Sequence, residues 1–259
     1  MRLPHKRAII VGAGQTPGDT IGNGRAIATL FAREGAHVLC VDREADRAEA
    51  IAAEIGAAPF QADITAPGAG AAIVAAAQAR FGGVDILVNN VGIGGGGDGP
   101  AHKADEAAFD RIMAVNFKGA WITIKAAIPA LRESKGAIVN ISSLASLAGA
   151  NMIAYEVSKA ALNRLTLSVA LANAKHGVRC NAILPGLIDT PMAINTVAEV
   201  TGVDPEALRA KRHAQVPLNA HMGDAWDTAH AALFLASDEA KFITGVLLPV
   251  DGGMSARVG

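Results

Sequence analysis

The sequence predicts a single α/β domain built on a doubly wound parallel sheet with helices on both faces. Short runs that are apolar throughout alternate with longer alanine-rich segments of helical period along most of the 259 residues. Strands of this continuous apolar type are expected where both faces of a sheet are buried. No linker, charge block or internal repeat divides the chain, so we expect residues 1–259 to form one domain.

Strand and helix patterns alternate strictly in the first half of the chain. The predicted strands are residues 8–11, 37–41, 58–61 and 84–88, and the predicted helices are residues 22–34, 43–55 and 68–81. Gly35 directly follows the first helix, at the position where a glycine commonly ends one. Because each strand is followed by a helix that returns to the same end of the sheet, the strands are expected to be parallel.

The second half continues the alternation, with one interruption. Residues 137–141, 178–184 and 246–250 are predicted strands, and residues 104–132, 152–175 and 225–236 are predicted helices. The segment from residue 191 to 217 does not follow the strand–helix pattern, and a mobile substrate lid would account for it. Four glycines, residues 94–97, follow the fourth strand.

Composition excludes several classes of protein. Hydrophobic residues make up 51% of the chain and charged residues 18%, which permits a large core, and the net charge of -1 lacks the basic excess that nucleic-acid binding requires. Cys40 and Cys180 lie in apolar runs and cannot form a disulfide framework, which favours a cytoplasmic protein with reduced thiols. The apolar run near the N-terminus is too short to cross a membrane. The histidines show no metal-ligand spacing, so no metal site is predicted.

A glycine-rich stretch from Gly12 to Gly24 lies between the first predicted strand and the first predicted helix. Glycines let the backbone approach a pyrophosphate, and the amino end of the following helix presents N–H groups and a positive dipole to it. Asp42 follows at the end of the second strand, where a carboxylate accepts hydrogen bonds from adenosine ribose hydroxyls. The pattern therefore predicts a dinucleotide site.

The carboxylate of Asp42 favours NAD over NADP, because it would repel the additional 2′-phosphate of NADP. Arg43 could offset part of this repulsion. Asp42 could also cap the helix that follows it, and the two roles are compatible.

Tyr155 is the only tyrosine of the chain, and Lys159 follows it by four residues on the same face of a predicted helix. An ammonium beside a phenol lowers the phenol's pKa, and such a phenol can exchange a proton with an alcohol while a hydride is transferred. A surface contact is the alternative for the pair. Ser142 and Ser143 follow the fifth strand and could hydrogen-bond a substrate oxygen, although a turn or helix cap also uses serine.

Together these motifs resemble the short-chain dehydrogenase/reductase family, and the resemblance runs from the glycine-rich stretch to the C-terminal residues 248–253. The motifs that carry it are the glycine-rich turn, Asp42, Asp63, Asn89-Asn90-Val91-Gly92, Asn116, the serine pair, Tyr155-x-x-x-Lys159 and Pro185-Gly186. The ordered set is much more specific than any one motif. It implies a Rossmann fold and an NAD(P)-dependent oxidoreductase of an alcohol/ketone pair.

The resemblance also implies site roles. Tyr155 would be the acid/base, Lys159 would bind nicotinamide ribose hydroxyls and lower the tyrosine pKa, and Asn116 would hold a water in a proton relay. The strand alignment assigns substrate polarisation to Ser143, with Ser142 as the alternative by spacing. The implied cofactor-binding residues are Gly12, Gly18, Gly22, Asn23, Asp42, Asp63, Ile64, Asn90, Val91, Gly92, Tyr155, Lys159, Pro185, Gly186, Ile188 and Thr190.

Two departures from the family pattern concern the dinucleotide site. Gly12 and Gly22 are farther apart than the first and second glycines of the usual turn. Either Gly12 begins the turn and about six residues are inserted, or Gly18 takes the first position. Val91 stands where the family commonly has alanine, a change we expect to be tolerated.

Two other functions stay open at this point. One is an NADPH-dependent 3-oxoacyl-[acyl-carrier-protein] reductase, against which Asp42 argues, and the other is a non-catalytic NAD-binding regulator. The family resemblance also implies a homotetramer. The apolar character of the substrate-facing segments indicates a hydrophobic or cyclic alcohol, and the substrate itself is not defined by these motifs.

Overall fold

A parallel sheet forms the centre of the protein, which a computed structural model describes over residues 1–257, with the backbone alone at Val200. The strands are β1 Arg7–Val11, β2 His37–Asp42, β3 Ala58–Gln61, β4 Ile86–Asn89, β5 Ala137–Ile141, β6 Arg179–Pro185, β7 Ile188–Asp189, β8 Gly223–Asp224 and β9 Leu247–Val250. Seven of them form one sheet in the order β3-β2-β1-β4-β5-β6-β9, and β7 pairs with β8 separately. The predicted doubly wound parallel sheet is confirmed.

Helices cover both faces of this sheet. They are α1 Asn23–Arg33, α2 Ala45–Ile55, α3 Ala69–Phe81, α4 Glu106–Met113, α5 Ala120–Ser134, α6 Ile153–Asn173, α7 Val197–Thr201, α8 Pro205–His213 and α9 Ala225–Ala236. Alternate residues of β1 enter two separate cores. Ala8 and Ile10 pack with residues of α1 and α9, whereas Ile9 and Val11 pack with residues of α3 and α5. Burial of both faces explains why the strands are apolar throughout.

The predicted helix over residues 104–132 differs from the structure. Asp105 caps its start by accepting a hydrogen bond from the Ala108 N–H (3.0 Å), so α4 begins at Glu106. A π-helical segment, Ala114–Gly119, then separates α4 from α5. The apolar periodicity of the sequence does not distinguish this register from a continuous α-helix, because one extra residue per turn changes the facing positions only locally.

The segment predicted as a lid is folded rather than irregular. Residues 191–217 contain a π-helical turn, Met192–Thr196, followed by α7 and α8. Ile194 is fully buried and packs with Val216 and Met222. Arg209 of α8 pairs with Asp189 of β7 at 3.1 Å, so this lid segment is docked on the body of the domain.

The carboxyl ends of the strands define where a ligand can bind. Strand order reverses between β1 and β4, because β2 and β3 lie on one side of β1 while β4, β5 and β6 lie on the other. The loops that leave β1 and β4 therefore diverge, and in open α/β sheets the crevice between such loops is the binding site.

Both cysteines are free and buried within strands, as predicted, Cys40 in β2 and Cys180 in β6. Burial raises the pKa of the Cys40 thiol to about 12 and also raises that of Cys180. In the described residues, no helix combines the length and the apolar character that a membrane crossing needs.

Candidate active site

The glycine loop, residues 12–22, connects β1 to α1 at the point where the strand order reverses. Asn90 Nδ2 donates to the Gly12 carbonyl oxygen (2.8 Å), and the Asn90 N–H donates to the Val11 carbonyl, so the loops after β1 and β4 are joined at their bases. Gly24 lies directly above this junction. A Cβ atom on Gly24 would lie only 1.8 Å from the Gly12 oxygen, which explains why glycine is required there.

The amino end of α1 faces the crevice in the manner an anion site requires. Gly22 is its N-cap residue and no side chain caps the helix, so the N–H groups of the first turn remain available to an anion. Asn23 Oδ1 is buried and has no hydrogen-bond partner among the described residues. The open helix terminus fits a bound dinucleotide phosphate, whereas the Asn23 oxygen is an acceptor and would need a donor such as a hydroxyl group.

The packing of the glycine loop favours Gly12 over Gly18 as the first glycine of the turn. Gly18 lies against the lid segment, since a Cβ atom there would be 2.8 Å from Pro191 Cβ and 2.9 Å from Asn195 Oδ1. This position favours the arrangement in which Gly12 begins the turn, and the assignment of Gly18 stays a prediction. The residues between Gly12 and Gly22 form a projecting loop, which Gln15 closes by accepting a hydrogen bond from the Gly22 N–H (2.9 Å).

The carboxylate of Asp42 is held by two backbone groups at the end of β2. Oδ2 accepts from the Gly14 N–H and Oδ1 accepts from the Glu44 N–H, both at 3.1 Å. The sequence allowed Asp42 to cap the next helix, but Glu44 is the N-cap residue of α2. Asp42 instead links the glycine loop to β2 and stays half-buried at the crevice.

Two arginines near Asp42 bear on cofactor selection. Arg43 is exposed and pairs with its neighbour Glu44 at 2.9 Å, which partly neutralises it. Arg47, in the first turns of α2, lies closer to the crevice, because a Cβ atom on Gly14 would be 2.6 Å from Arg47 Cβ. Arg47 is not among the residues predicted from the sequence, although its place in the first turn of the helix after Asp42 was a usable signal.

The next two residues of the predicted set follow β3. Asp63 accepts hydrogen bonds from the Thr65 N–H (2.8 Å) and hydroxyl (2.7 Å), and these bonds lower the pKa of its carboxyl group. Ile64 is buried, and its Cδ1 would be 2.5 Å from a Cβ atom on Gly119. The Ile64 side chain is thus part of the core, which leaves its backbone as the part that could contact an adenine.

The remaining predicted cofactor residues line the crevice from both sides. Val91 contacts Gly12, where a Cβ atom would be 2.8 Å from Val91 Cγ2. On the other side, the N–H of Gly186 donates to the carbonyl of Val250 next to the end of β6, and Ile188 lies in β7. Thr190 is buried at the start of the lid segment. Pro185 ends β6 in the main sheet.

Ser143 and Tyr155 face each other across the end of β5. The pKa of the Tyr155 phenol is raised by its burial, and the hydrogen-bonding Ser143 hydroxyl opposes this effect. Ser142 is turned the other way, since its hydroxyl donates to the carbonyl oxygen of Lys159 at 3.2 Å. Of the two serines that the sequence left open, the geometry therefore favours Ser143 as the one that meets a substrate oxygen.

Lys159 is buried one turn after Tyr155 on α6. Its Nζ lies 5.8 Å from the centre of the tyrosine ring and donates to the Ile141 carbonyl oxygen at 2.9 Å. A Cβ atom on Gly92 would be 2.9 Å from this nitrogen, so a larger residue there would require the ammonium to shift. Burial lowers the pKa of Lys159 to about 8.

The pKa of Tyr155 is shifted in the opposite direction to the one predicted. We expected Lys159 to lower the pKa of Tyr155, whereas burial raises it in this structure. The ammonium lies over the ring and donates to the backbone of β5. The phenol is therefore protonated at neutral pH and suited to donate a proton, and accepting one requires further stabilisation of the phenolate.

Asn116 lies within the π-helical segment and is fully buried. Its Oδ1 accepts from the Ile93 N–H, and its Nδ2 donates to the Ile93 carbonyl oxygen, both at 2.8 Å. Nδ2 also donates to the Ser158 hydroxyl at 3.0 Å. Asn116 thus joins the loop after β4 to α6, between the two residues of the Tyr155-Lys159 pair.

Other titratable clusters do not form a metal centre in the described residues, where no group of three histidine, cysteine or acidic side chains lies close enough to share an ion. The rings of His213 and His221 are 4.2 Å apart, and His213 Nδ1 accepts a hydrogen bond from the Met222 N–H. These histidines connect α8 to the segment before β8.

Comparisons with known proteins find relatives along almost the whole chain. A family model described as Enoyl-(Acyl carrier protein) reductase matches residues 19–255. The chain is 38% identical to 2-(R)-hydroxypropyl-CoM dehydrogenase of Xanthobacter autotrophicus over 258 residues, covering 96% of this chain and 98% of the relative. It is 39% identical over 264 residues to 2,5-dichloro-2,5-cyclohexadiene-1,4-diol dehydrogenase LinX of Sphingobium indicum, with 99% of each covered. A solved structure of aldohexose dehydrogenase from Thermoplasma acidophilum superposes with a TM-score of 0.86 at 34% identity, covering 99% of this chain and 96% of that one.

Proposed function

The chain belongs to the short-chain dehydrogenase/reductase family, and from this premise we propose that it is an NAD-dependent dehydrogenase of secondary alcohols in which Tyr155 exchanges the proton. It is an alcohol dehydrogenase acting on CH–OH groups, as the named relatives indicate. One observation carries the finer proposal: Ser143, Tyr155, Lys159 and Asn116 converge on the loop after β4 at the crevice of the sheet.

The roles of the side chains follow from their positions. The substrate oxygen lies between the Ser143 hydroxyl and the Tyr155 phenol, where the first donates a hydrogen bond and the second transfers the proton. When bound, the nicotinamide supplies the acceptor or donor of hydride. Lys159 binds the nicotinamide ribose hydroxyls, and its ammonium favours the phenolate that alcohol oxidation needs. Asn116 fixes the loop after β4 through its hydrogen bonds to Ile93. As the family resemblance implies, it would also bind a water of the proton relay.

The pKa of the phenol predicts the direction of the pH dependence. Since burial raises it, the protonated form that serves ketone reduction prevails at neutral pH. The deprotonated form that serves alcohol oxidation increases as the pH rises, so oxidation is favoured by alkaline conditions.

The proposal of NAD rests on Asp42. Its carboxylate is fixed by Gly14 and Glu44 at the end of β2, where it can accept hydrogen bonds from ribose hydroxyls. A 2′-phosphate about 4 Å away would be repelled by up to roughly 4 kcal/mol at an effective dielectric near 20, before screening by salt. The N–H groups at the open end of α1 would bind the diphosphate.

Replacement of Asp42 by Ala is expected to lower the ratio of kcat/KM for NAD to that for NADP by about one to two orders of magnitude, because the repulsion is lost and Arg47 remains nearby. Steady-state kinetics with both cofactors measures the ratio. Asp46→Ala removes an exposed carboxylate at the start of α2, four residues after Asp42, and serves as the matched control. An Asp42→Ala ratio equal to that of the control would show that the Asp42 carboxylate does not select the cofactor.

The substrate class is tested directly by following NADH absorbance over a panel of alcohols. Aliphatic 2-hydroxyalkyl thioethers, cyclic diols and aldohexoses represent the chemistry in the names of the relatives, and NAD and NADP are compared in parallel. The exposed apolar side chains of Leu147 and Met192, which closely follow Ser143 and Thr190 in the sequence, favour hydrophobic or cyclic alcohols. Absence of NADH formation with every alcohol, and of NADH oxidation with the matching ketones, would contradict the proposal.

One alternative has a specific observation in its favour. Arg47 beside the crevice and the acyl-carrier description of the family model favour an NADPH-dependent 3-oxoacyl-[acyl-carrier-protein] reductase. The same cofactor comparison, extended to a β-ketoacyl thioester, separates it from the main proposal. A non-catalytic NAD-binding regulator is disfavoured because all four residues of the proposed catalytic group are present.

We also propose a cytoplasmic homotetramer. Trp121 on α5, and Val157 and Leu171 on α6, are large apolar side chains with 42%, 39% and 77% of their surface exposed. An assembly that pairs these helices would cover them. Light scattering measures the assembly, which should have the mass of four chains of 26.3 kDa. The lid segment, docked through Arg209 and Asp189, would open and close over the substrate in each subunit.

A further inference from the structure

The loop after β4 is attached to the start of α6 through the carboxylate of Asp98. Asp98 Oδ2 accepts a hydrogen bond from the Tyr155 N–H at 2.9 Å, and Oδ1 accepts from the Ala154 N–H at 3.0 Å. Oδ1 also accepts from the N–H of Gly99 at 2.8 Å. The carbonyl oxygen of Gly99 accepts from the Ile153 N–H at 3.0 Å. The first three N–H groups of α6 are thus all bonded to two adjacent residues of a distant loop.

Helix α6 has no cap of its own for these groups. Its N-cap residue is Met152, whose thioether is only a weak acceptor, and no side-chain cap is present at that position. The first N–H groups of a helix have no partner within the helix, and a negative charge near them is favoured by the helix dipole. Asp98 supplies both the acceptors and the charge from 57 residues away along the chain.

The same loop also contacts the ring of Tyr155. A Cβ atom on Gly94 would lie 3.3 Å from Tyr155 Cδ2, so the backbone of Gly94 packs against the edge of the phenol. Asn116 fixes the base of the loop by its two hydrogen bonds to Ile93. Tyr155 is therefore held by one loop at two points, with its N–H on Asp98 and its ring on Gly94.

We infer that Asp98 is a positioning residue that fixes Tyr155 for proton transfer, through the N–H of the tyrosine and through the loop that packs on its ring. The inference rests on the proposed role of Tyr155 as the acid/base. Asp98 contacts neither the phenol oxygen nor the substrate position, and it acts through the backbone. A displacement of about 1 Å at a reacting group can reduce turnover by about a hundredfold.

A purely structural cap would behave differently, and the chain contains a comparison. Asp105 caps α4 in the same way, by accepting from the Ala108 N–H at 3.0 Å, but α4 carries none of the proposed catalytic residues. Removal of an aspartate N-cap costs stability at either position. Only removal of Asp98 should also change proton transfer by Tyr155 and the titration of its phenol.

The experiment compares Asp98→Ala and Asp98→Asn with Asp105→Ala in the full chain. Asp98→Ala is expected to lower kcat by about ten- to a hundredfold with the KM for NAD changed less than about threefold, because the phenol and not the cofactor site is displaced. Asp98→Asn retains one acceptor oxygen and should recover part of the lost kcat. Asp105→Ala should keep the kcat of the wild type, with a lower melting temperature.

A second readout needs no turnover. Tyr155 is the only tyrosine, so the ultraviolet absorbance of tyrosinate during an alkaline titration reports this phenol alone. Asp98→Ala should lower the midpoint relative to the wild type, since a displaced ring is less buried, whereas Asp105→Ala should leave it unchanged. Titrations stop at a pH where circular dichroism still reports folded protein.

The outcomes separate the two levels of inference. An unchanged kcat and titration midpoint in Asp98→Ala would overturn the positioning role, as would an Asp98→Asn variant no better than Asp98→Ala. A wild type without activity on any alcohol or ketone would overturn the proposed function, and the titration would still show whether Asp98 positions the phenol.

Discussion

The Tyr155→Phe variant is expected to lose about two to four orders of magnitude in kcat while its affinity for NAD stays within a few-fold of the wild type. Phenylalanine keeps the ring that packs on Gly94 and removes only the hydroxyl that faces Ser143. The loss therefore reports proton transfer rather than folding. Stopped-flow or steady-state absorbance of NADH measures kcat, and quenching of tryptophan fluorescence measures NAD binding.

Two results would contradict the assignment of Tyr155. Turnover within tenfold of the wild type would show that another group transfers the proton. A parallel loss of NAD affinity and melting temperature would show that the hydroxyl is structural. Ser143→Ala provides a graded comparison, since it removes the hydrogen bond to the substrate oxygen and leaves the proton donor in place.

The Lys159→Met variant is expected to lose catalysis and gain stability at the same time. Burial lowers the pKa of Lys159 from 10.5 to about 8, which means that the folded protein holds the ammonium at a cost. At about 1.4 kcal/mol per pKa unit, this cost is roughly 3 kcal/mol at neutral pH. Methionine avoids the cost but loses the hydrogen bond to Ile141, worth about 1 kcal/mol, so a net gain of roughly 1 to 3 kcal/mol in unfolding free energy is expected.

The pH dependence of that gain has a defined sign. Between about pH 8 and 10.5 the unfolded chain binds the lysine proton and the folded protein has released it. Stability of the wild type therefore rises with pH in this window, and the advantage of Lys159→Met shrinks. Urea unfolding of both proteins, at neutral pH and at the upper end of this pH window, measures the difference in their unfolding free energy. Equal stability differences at the two pH values would show that the lysine is not buried as an ammonium.

In the same variant, kcat for alcohol oxidation is expected to fall at least about a hundredfold, with the alkaline rise of the rate displaced to higher pH. The burial that raises the pKa of Tyr155 remains, and the ammonium that favours the phenolate is gone. Activity close to that of the wild type would remove Lys159 from the proposed mechanism.

The sheet could be predicted from sequence because each strand is a short apolar run with both faces buried, as the two cores on either side of Ile9 and Ile10 show. The π-helical segment around Asn116 could not, since its hydrogen bonds to Ile93 and Ser158 depend on elements distant in sequence. Apolar period records which face of a helix is buried and carries little information on a local change of register.

The candidate site was predictable where residue type and spacing limit the chemistry, as for Tyr155 and Lys159. It was not predictable where a residue contacts, or hydrogen-bonds to the backbone of, a segment that is distant in the sequence. The position of Gly18 against the lid segment depends on how a loop folds, and the cap that Asp98 provides for α6 joins residues 57 apart. The raised pKa of the phenol likewise depends on burial, which spacing does not report.

The alkylation rates of the two thiols would report local opening of the sheet. Cys40 and Cys180 lie on opposite sides of the strand-order reversal, and neither is accessible in the folded protein. Alkylation of each by a small reagent can proceed only through transient exposure, so the two rates compare the local stability of the β1–β3 half of the sheet with that of the β4–β6 half. Protection of Cys40 alone on addition of adenine nucleotide would assign the nucleotide to its half without any measurement of turnover.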